Sequence, residues 1–320
     1  MLNTGIKSQV KKRTMYKTII LWFLRKISWR FGYIVLNRNV PSLNTCGDDP
    51  REVPYLQDLP YSVQNLPAKL GVGLRFYPFE GQTYHPFILA LKGIKENKNQ
   101  KDFAFEVLKK YNQLCSLKTA NDFLGLSKTE ACFSNENHPY EYTYPWSTVV
   151  PHEIKKITLD DIRGENSRYG FKTEEALDLP LASDRKIWIE TKRLVHLMVS
   201  IKESGFKQQS QDSLGCFVLL NGDSWRWYVH GGQHRAAVLA VLGYDKFPVC
   251  VRRIIRREDV DIWPQVQSGV FTREQALLVF DKLFSAKPPP VAKEWMDYVN
   301  QAFYHKTEIE CLTNNEKPEF

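Results

Sequence analysis

Residues 225–253 (WRWYVHGGQHRAAVLAVLGYDKFPVCVRR) constrain the fold of this chain more than any other stretch. They parse as strand, glycine turn, helix and strand. Trp225, Trp227 and Val229 alternate with Arg226, Tyr228 and His230, the period of two expected of a strand with one buried face. Gly231 and Gly232 interrupt that strand and free the backbone for a sharp turn. Ala236, Ala237, Val238, Leu239, Val241 and Leu242 then read as a helix that Gly243 ends. Residues 247–251 form an apolar run of buried-strand length. Gln233, His234 and Arg235 therefore fall in the first turn of a helix. Unpaired backbone N–H groups and the positive end of the helix dipole favour an anion there. An imidazole and a guanidinium beside them suit phosphate.

At these residues the chain resembles the ParB/sulfiredoxin superfamily. Its members carry a Gly-x-His-Arg or Gly-Glu-Arg-Arg turn before a helix, then a short glycine-containing turn and a Pro-Val strand. Here that order reads GGQHRAA followed by LGYDKFPVCV. Residues 197–206 (LMVSIKESGF) are similar to the family's first box, a helix ending in Ser-Ile with a glycine four residues later. Residues 154–162 (IKKITLDDI) are similar to its opening strand. The likeness covers residues 151–257, about a third of the chain. It implies an α+β fold with a ParB/sulfiredoxin-like core, a small mixed sheet with packed helices, at residues 151–260. An N-terminal extension (41–150) and C-terminal helices (261–320) would be additions to that core.

The net charge of +8 is unevenly placed. Residues 1–40 hold nine basic residues and no acid, so the other 280 residues sum to −1. A chain that grips duplex DNA over its folded face carries its basic excess there, and this body does not. Within the arm, Ile20, Phe23, Leu24, Ile27 and Phe31 fall at helical spacing beside Trp22 and Trp29. The uncharged run 18–24 is far short of the about 20 residues that span a bilayer, and no small-residue cleavage site follows. A basic amphipathic helix of this kind suits either an anionic membrane surface or docking on the body. The six cysteines are scattered without a CxxC pair, so no disulfide framework or zinc spacing follows. The expected setting is cytoplasmic, peripheral to the inner face of a membrane.

Residues 41–67, rich in Pro, Asp and Asn, read as an irregular connection. Residues 70–79 read as a strand, and Gly71 and Gly73 are no phosphate loop because no GK[ST] follows. Residues 84–95 and 102–114 have helical periodicity, and residues 134–146 read as an aromatic, proline-broken loop. The pattern then predicts a strand at 153–159, a helix at 185–203 and a strand at 216–220. Asn221-Gly222 is a hairpin signal joining that strand to 225–230. Helices at 272–284 and 291–304 follow, separated by three prolines.

Arg193, His196 and Ser200 share one face of the predicted helix. In sulfiredoxin-like members a basic residue and two hydroxyl residues at this spacing hold nucleotide phosphates. Arg193 matches the basic position and Ser200 the last hydroxyl, while His196 stands at the middle one. With Gly231, Gly232, Gln233, His234 and Arg235, these are the residues the resemblance assigns to a nucleotide. Gln233 stands where sulfiredoxin has its reactive cysteine and ParB a glutamate. An amide is no nucleophile, so sulfiredoxin chemistry is excluded, and contact with phosphate, ribose or water remains. Kinases of the free-serine type, which resemble this fold, place a glutamate shortly after the opening strand. The matching region offers Glu165 as candidate base and Asp161 as second choice, with Arg163, Asn166 and Arg168 as substrate residues. Glu190 is a candidate Mg²⁺ ligand or simply a partner of Lys186. The plainer readings are a solvated loop for the acids and a capped βα turn for the glycine box.

The function this implies is an ATP- or other nucleotide-dependent phosphotransferase, with Mg²⁺, acting on a small polar or saccharide-linked acceptor. The alternatives are a ParB-like nucleic-acid-binding or nuclease module and a non-catalytic nucleotide sensor. Against nucleic acid stands the neutral body, and the basic run Arg252, Arg253, Arg256, Arg257 is followed at once by Glu258, Asp259 and Asp261.

Overall fold

The computed structural model describes residues 48–55, 62–96, 100–168, 183–206 and 214–304; the arm of residues 1–40 lies outside the described residues. After a 3-10 turn at Pro50–Tyr55 come strands β1 (Ser62–Pro67), β2 (Gly71–Gly73) and β3 (Tyr77–Pro78). Helices α1 (Pro86–Glu96) and α2 (Gln100–Leu114) follow, and a largely irregular stretch leads to α3 (Pro151–Arg168). Next are α4 (Asp184–Ser204), β4 (Gly215–Asn221), β5 (Ser224–Gly231), α5 (Gln233–Val241) and β6 (Lys246–Arg256). Helices α6 (Arg273–Ser285) and α7 (Lys293–Val299) complete the set. The chain is α+β.

The strands form one mixed sheet in the order β1-β6-β4-β5-β2-β3. β4 and β5 pair antiparallel across Asn221-Gly222, with Gly222 at φ 56°, as the hairpin signal demands. β6 lies parallel to β4, and β2 lies parallel to β5. Residues 62–78 thus supply three of the six strands, and Thr45–Phe320 forms one compact unit.

Side chains alternate across this sheet, and both faces are covered. Cys216, Val218, Trp227 and Val229 join Leu66 and Phe247 against α1, α2, α4, α5 and α7. Leu219, Tyr228 and Ile255 pack on the opposite side with Trp146, Trp263 and the α6 residues Val279 and Phe280. The strand 225–230 is therefore buried on two faces at its centre, where the alternation predicted one. A helix layer on each side, as parallel pairs require, accounts for the difference. Trp227 is fully buried and its indole N–H donates to the Pro67 carbonyl at 2.9 Å. Gly71 makes room for it, because a Cβ there would lie 2.3 Å from Trp227 Cζ2.

The glycine box, α4, the hairpin and α6 fall where the sequence predicts them. The expected strand at 153–159 is instead part of α3. Pro151 opens that helix in the first turn, where a missing N–H costs nothing, and Glu153 sits at the positive end of the dipole. Ile154, Thr158 and Ile162 recur every four residues on its half-buried side, a helical stripe and not a strand face. Residues 41–67, read as irregular, contain β1, an edge strand paired to β6 on one side, in which the buried Gln64 donates its amide to the Asp49 carbonyl at 3.2 Å. The strand expected at 70–79 is broken into β2 and β3 by Leu74 and Arg75, both at positive φ (45° and 75°). The helix expected at 291–304 begins as a 3-10 turn and ends in a π-turn, Asn300–Tyr304. Among the described residues no helix is long and apolar enough to cross a membrane.

Candidate functional site

The start of α5 opens onto a cavity of about 840 Å³. Gly232 is the N-cap at φ 88°, a left-handed conformation that favours glycine, and no side chain caps the helix. Gly231, Gly232, Gln233, His234 and Arg235 line the cavity, and α4 faces them with Lys186, Glu190, Arg193 and His196. Two separate sequence motifs, the His-Arg box and the Arg193 helix, thus meet at one site.

The opposite wall comes from residues 74–140. Leu74, Phe87, Leu108, Tyr111, Phe123 and Tyr140 make it largely apolar and aromatic, with Asn112 among them. Arg75 holds part of this wall together. Its guanidinium donates to the hydroxyls of Tyr142 (2.8 Å) and Tyr144 (3.1 Å) and lies over the Phe123 ring, 4.7 Å from its centroid. Burial pushes the Tyr144 phenol up to about 12, so that hydroxyl stays a neutral acceptor. Cys115 also lines the cavity, but burial raises its thiol, and the Tyr77 hydroxyl lies 3.6 Å away. It is no ready nucleophile.

Glu190 is the electrostatic centre. Lys186 Nζ lies 3.2 Å and Arg193 Nη1 3.0 Å from its Oε1, and His234 Nε2 lies 2.5 Å from its Oε2. Burial raises this carboxyl, but the hydrogen bond from His234 and the charges of His234, Arg193 and Lys186 outweigh it and hold Glu190 at about 2. The His234 ring is fixed from its other side by Phe87, which stacks on it at 4.7 Å. Lys186, expected from the sequence only as a candidate partner of Glu190, makes that pair and also lines the cavity; it stands four residues before Glu190, and Arg193 three after. Tyr140 belongs to a run in which Tyr140, Tyr142, Tyr144 and Trp146 recur at every second residue, the one local sign that this loop presents an aromatic edge.

Gln233 does not point free into the cavity. Its amide Nε2 donates to the Val229 carbonyl at 2.8 Å and its Oε1 accepts from the Leu74 N–H at 2.9 Å. It braces the end of β5 against the strained β2–β3 turn. Ser200 is exposed near the end of α4 and does not line the cavity. Asp161 and Arg163 are exposed on α3, with Arg163 paired to Asp160 at 3.0 Å, and neither lines the cavity. Glu165, Asn166 and Arg168 belong to the same helix, and their side chains lie outside the described residues.

Three arginines of the run at 252–257 are taken up by the fold. Arg253 donates to the Trp146 carbonyl at 3.0 Å and lies over Phe217, and Arg257 forms a two-point pair with Asp281 at 2.8 and 2.9 Å. Arg256 lies 3.8 Å from Glu258. No family model, no curated protein and no solved structure matches the chain.

Proposed function

We propose that the cavity binds a nucleotide, with its phosphates among Arg193, Lys186, Arg235 and His234 and its base against the aromatic wall. One observation carries this reading: cations from α4 and from the uncapped start of α5 converge on one cavity, faced by a single carboxylate among the described lining residues. Its volume falls within the ~300–1,000 Å³ usual for small-molecule sites. The ParB/sulfiredoxin resemblance supports the same assignment, since it places phosphates at the His-Arg turn.

Transfer of a phosphoryl group to a small polar or saccharide-linked acceptor is what that resemblance adds, and the geometry supports it less. Its proposed acids, Asp161 and Glu165, belong to α3, and Asp161 is outside the cavity wall. A protein-held Mg²⁺ does not fit the residues present. Glu190 is engaged by three basic side chains, and among the described residues no three His, Cys, Asp or Glu side chains gather as ligands. Nucleic acid is disfavoured by the neutral body and by the engagement of Arg253 and Arg257 within the fold. For residues 1–40, nine basic residues without an acid support contact with an anionic membrane surface. Vesicle binding that falls with salt is the expected behaviour.

A thermal-shift screen of ATP, ADP, CTP and GTP tests the central reading. A bound nucleotide at about 100 times its dissociation constant adds roughly 2.7 kcal/mol of stability. Absence of a shift with all four would overturn it.

A further inference from the structure

Glu190 stands where an anionic ligand would have to go. Its two oxygens already receive Lys186, Arg193 and His234 at 3.2, 3.0 and 2.5 Å. Lys186 and Arg193 sit one helical turn before and after it on α4, and His234 reaches it from α5. These three are among the groups the cavity offers to phosphate. The carboxylate is largely enclosed, with 18% of its side chain exposed, so the pairs are shielded from solvent and bind more strongly than surface pairs do.

We infer that Glu190 is an internal counter-anion that a ligand must displace, and that it restricts the cavity to ligands carrying more than one phosphate. The inference rests on the nucleotide reading and names its substrate class. A ligand bearing a single carboxylate, or one phosphate, offers the cations little that Glu190 does not already give. It also competes against a group tethered in place, whose effective concentration is high. A di- or triphosphate brings additional oxygens and charge. It can take over the contacts to Lys186 and Arg193 and still reach Arg235 and the start of α5, which no side chain caps. Displaced from its partners, Glu190 needs only rotate toward solvent. The same competition leaves the empty cavity without an uncompensated cluster of buried cations, so the residue serves the fold and the selectivity together.

The test is calorimetric titration of the full chain with ATP and with AMP, for wild type, Glu190→Gln and Glu190→Asp. Wild type should bind ATP at least tenfold tighter than AMP. Glu190→Gln should bind AMP about tenfold tighter than wild type does, the size of one charge-assisted contact regained, and narrow the ATP preference. Glu190→Asp, which keeps the charge but withdraws it by one methylene, should gain by a smaller factor and guards against misfolding of the glutamine variant. Wild type binding ATP while both variants bind AMP no better, or more weakly, would show that Glu190 positions the cations, and would overturn the inference alone. Equal binding of ATP and AMP by wild type would overturn it as well. Binding of neither nucleotide by any of the three proteins would remove the nucleotide reading and this inference with it.

Discussion

Phe87 lies flat against His234, with ring centroids 4.7 Å apart and planes inclined by 17°. The contact joins α1, from the N-terminal part of the chain, to the first turn of α5. It holds the imidazole in the plane that lets its Nε2 reach Glu190. Phe87→Ala removes this stack, and aromatic pairs of this geometry contribute about 0.5–1.5 kcal/mol beyond the area they bury. The expected outcome is a three- to tenfold loss of ATP affinity by calorimetry, with a modest fall in melting temperature. Unchanged affinity would mean that the orientation of His234 does not matter to the ligand.

Gln233 is predicted to act on stability more than on binding. Its two hydrogen bonds to backbone, at Val229 and Leu74, are each worth about 0.5–1.5 kcal/mol. Gln233→Ala should lower unfolding free energy by about 1–3 kcal/mol in urea titration. Gln233→Glu should cost more, because it sets a carboxylate against the Val229 carbonyl. A variant with wild-type stability and lost ATP binding would restore the ligand contact that the sequence alone suggests.

How far the sequence carries can be seen at these residues. The His-Arg turn and the Arg193 helix were legible because their signals are local: a glycine pair before His-Arg, a 3.6-residue stripe, a hairpin dipeptide. Their meeting at one cavity was implied by the resemblance alone, since no local signal encodes it. The other half of the cavity was not legible. Phe87, Tyr111 and Tyr140 reach it through a sheet in which β2 pairs with a strand some 150 residues later, and no local pattern encodes that pairing. Residues 153–159 failed for the opposite reason. Their β-branched residues favour a strand locally, but the sheet has no place for them and Pro151 starts a helix. His85 gave no warning at all, since a lone histidine reads the same on a surface as in a core.

His85 should make the protein sensitive to mild acid. It is fully buried among Tyr77, Phe79 and Phe87, and neither ring nitrogen has a hydrogen-bond partner among the described residues. Burial first, and the charge of His234 second, lower it from 6.5 to about 3. The folded state therefore binds the proton less readily than the unfolded state. Its contribution is complete above pH 6.5 and is lost as pH falls toward 3. Between pH 6.5 and 4.5 this amounts to about 2 kcal/mol. Glu190, also lowered, adds its own loss only as pH falls from 4.5 toward 2. Denaturant titrations of wild type and His85→Phe across pH 4.5–7.5 should show the slope in wild type and a flatter profile in the variant. Parallel profiles would place the acid sensitivity elsewhere.

The most direct measurement of the central claim is calorimetric titration of ATP into wild type, Arg193→Ala, Arg235→Ala and the double variant. Both arginines line the cavity, one on α4 and one on α5. A charge-assisted contact to phosphate is worth about 1.5–3 kcal/mol, so each single variant should lose roughly 10- to 150-fold in affinity. The double variant should lose less than the product, because both side chains serve one phosphate chain. Folding should be little changed in all three. Saturable binding by wild type with these losses is the predicted result; ATP affinity unchanged in Arg193→Ala and Arg235→Ala, or no binding by wild type, would contradict it.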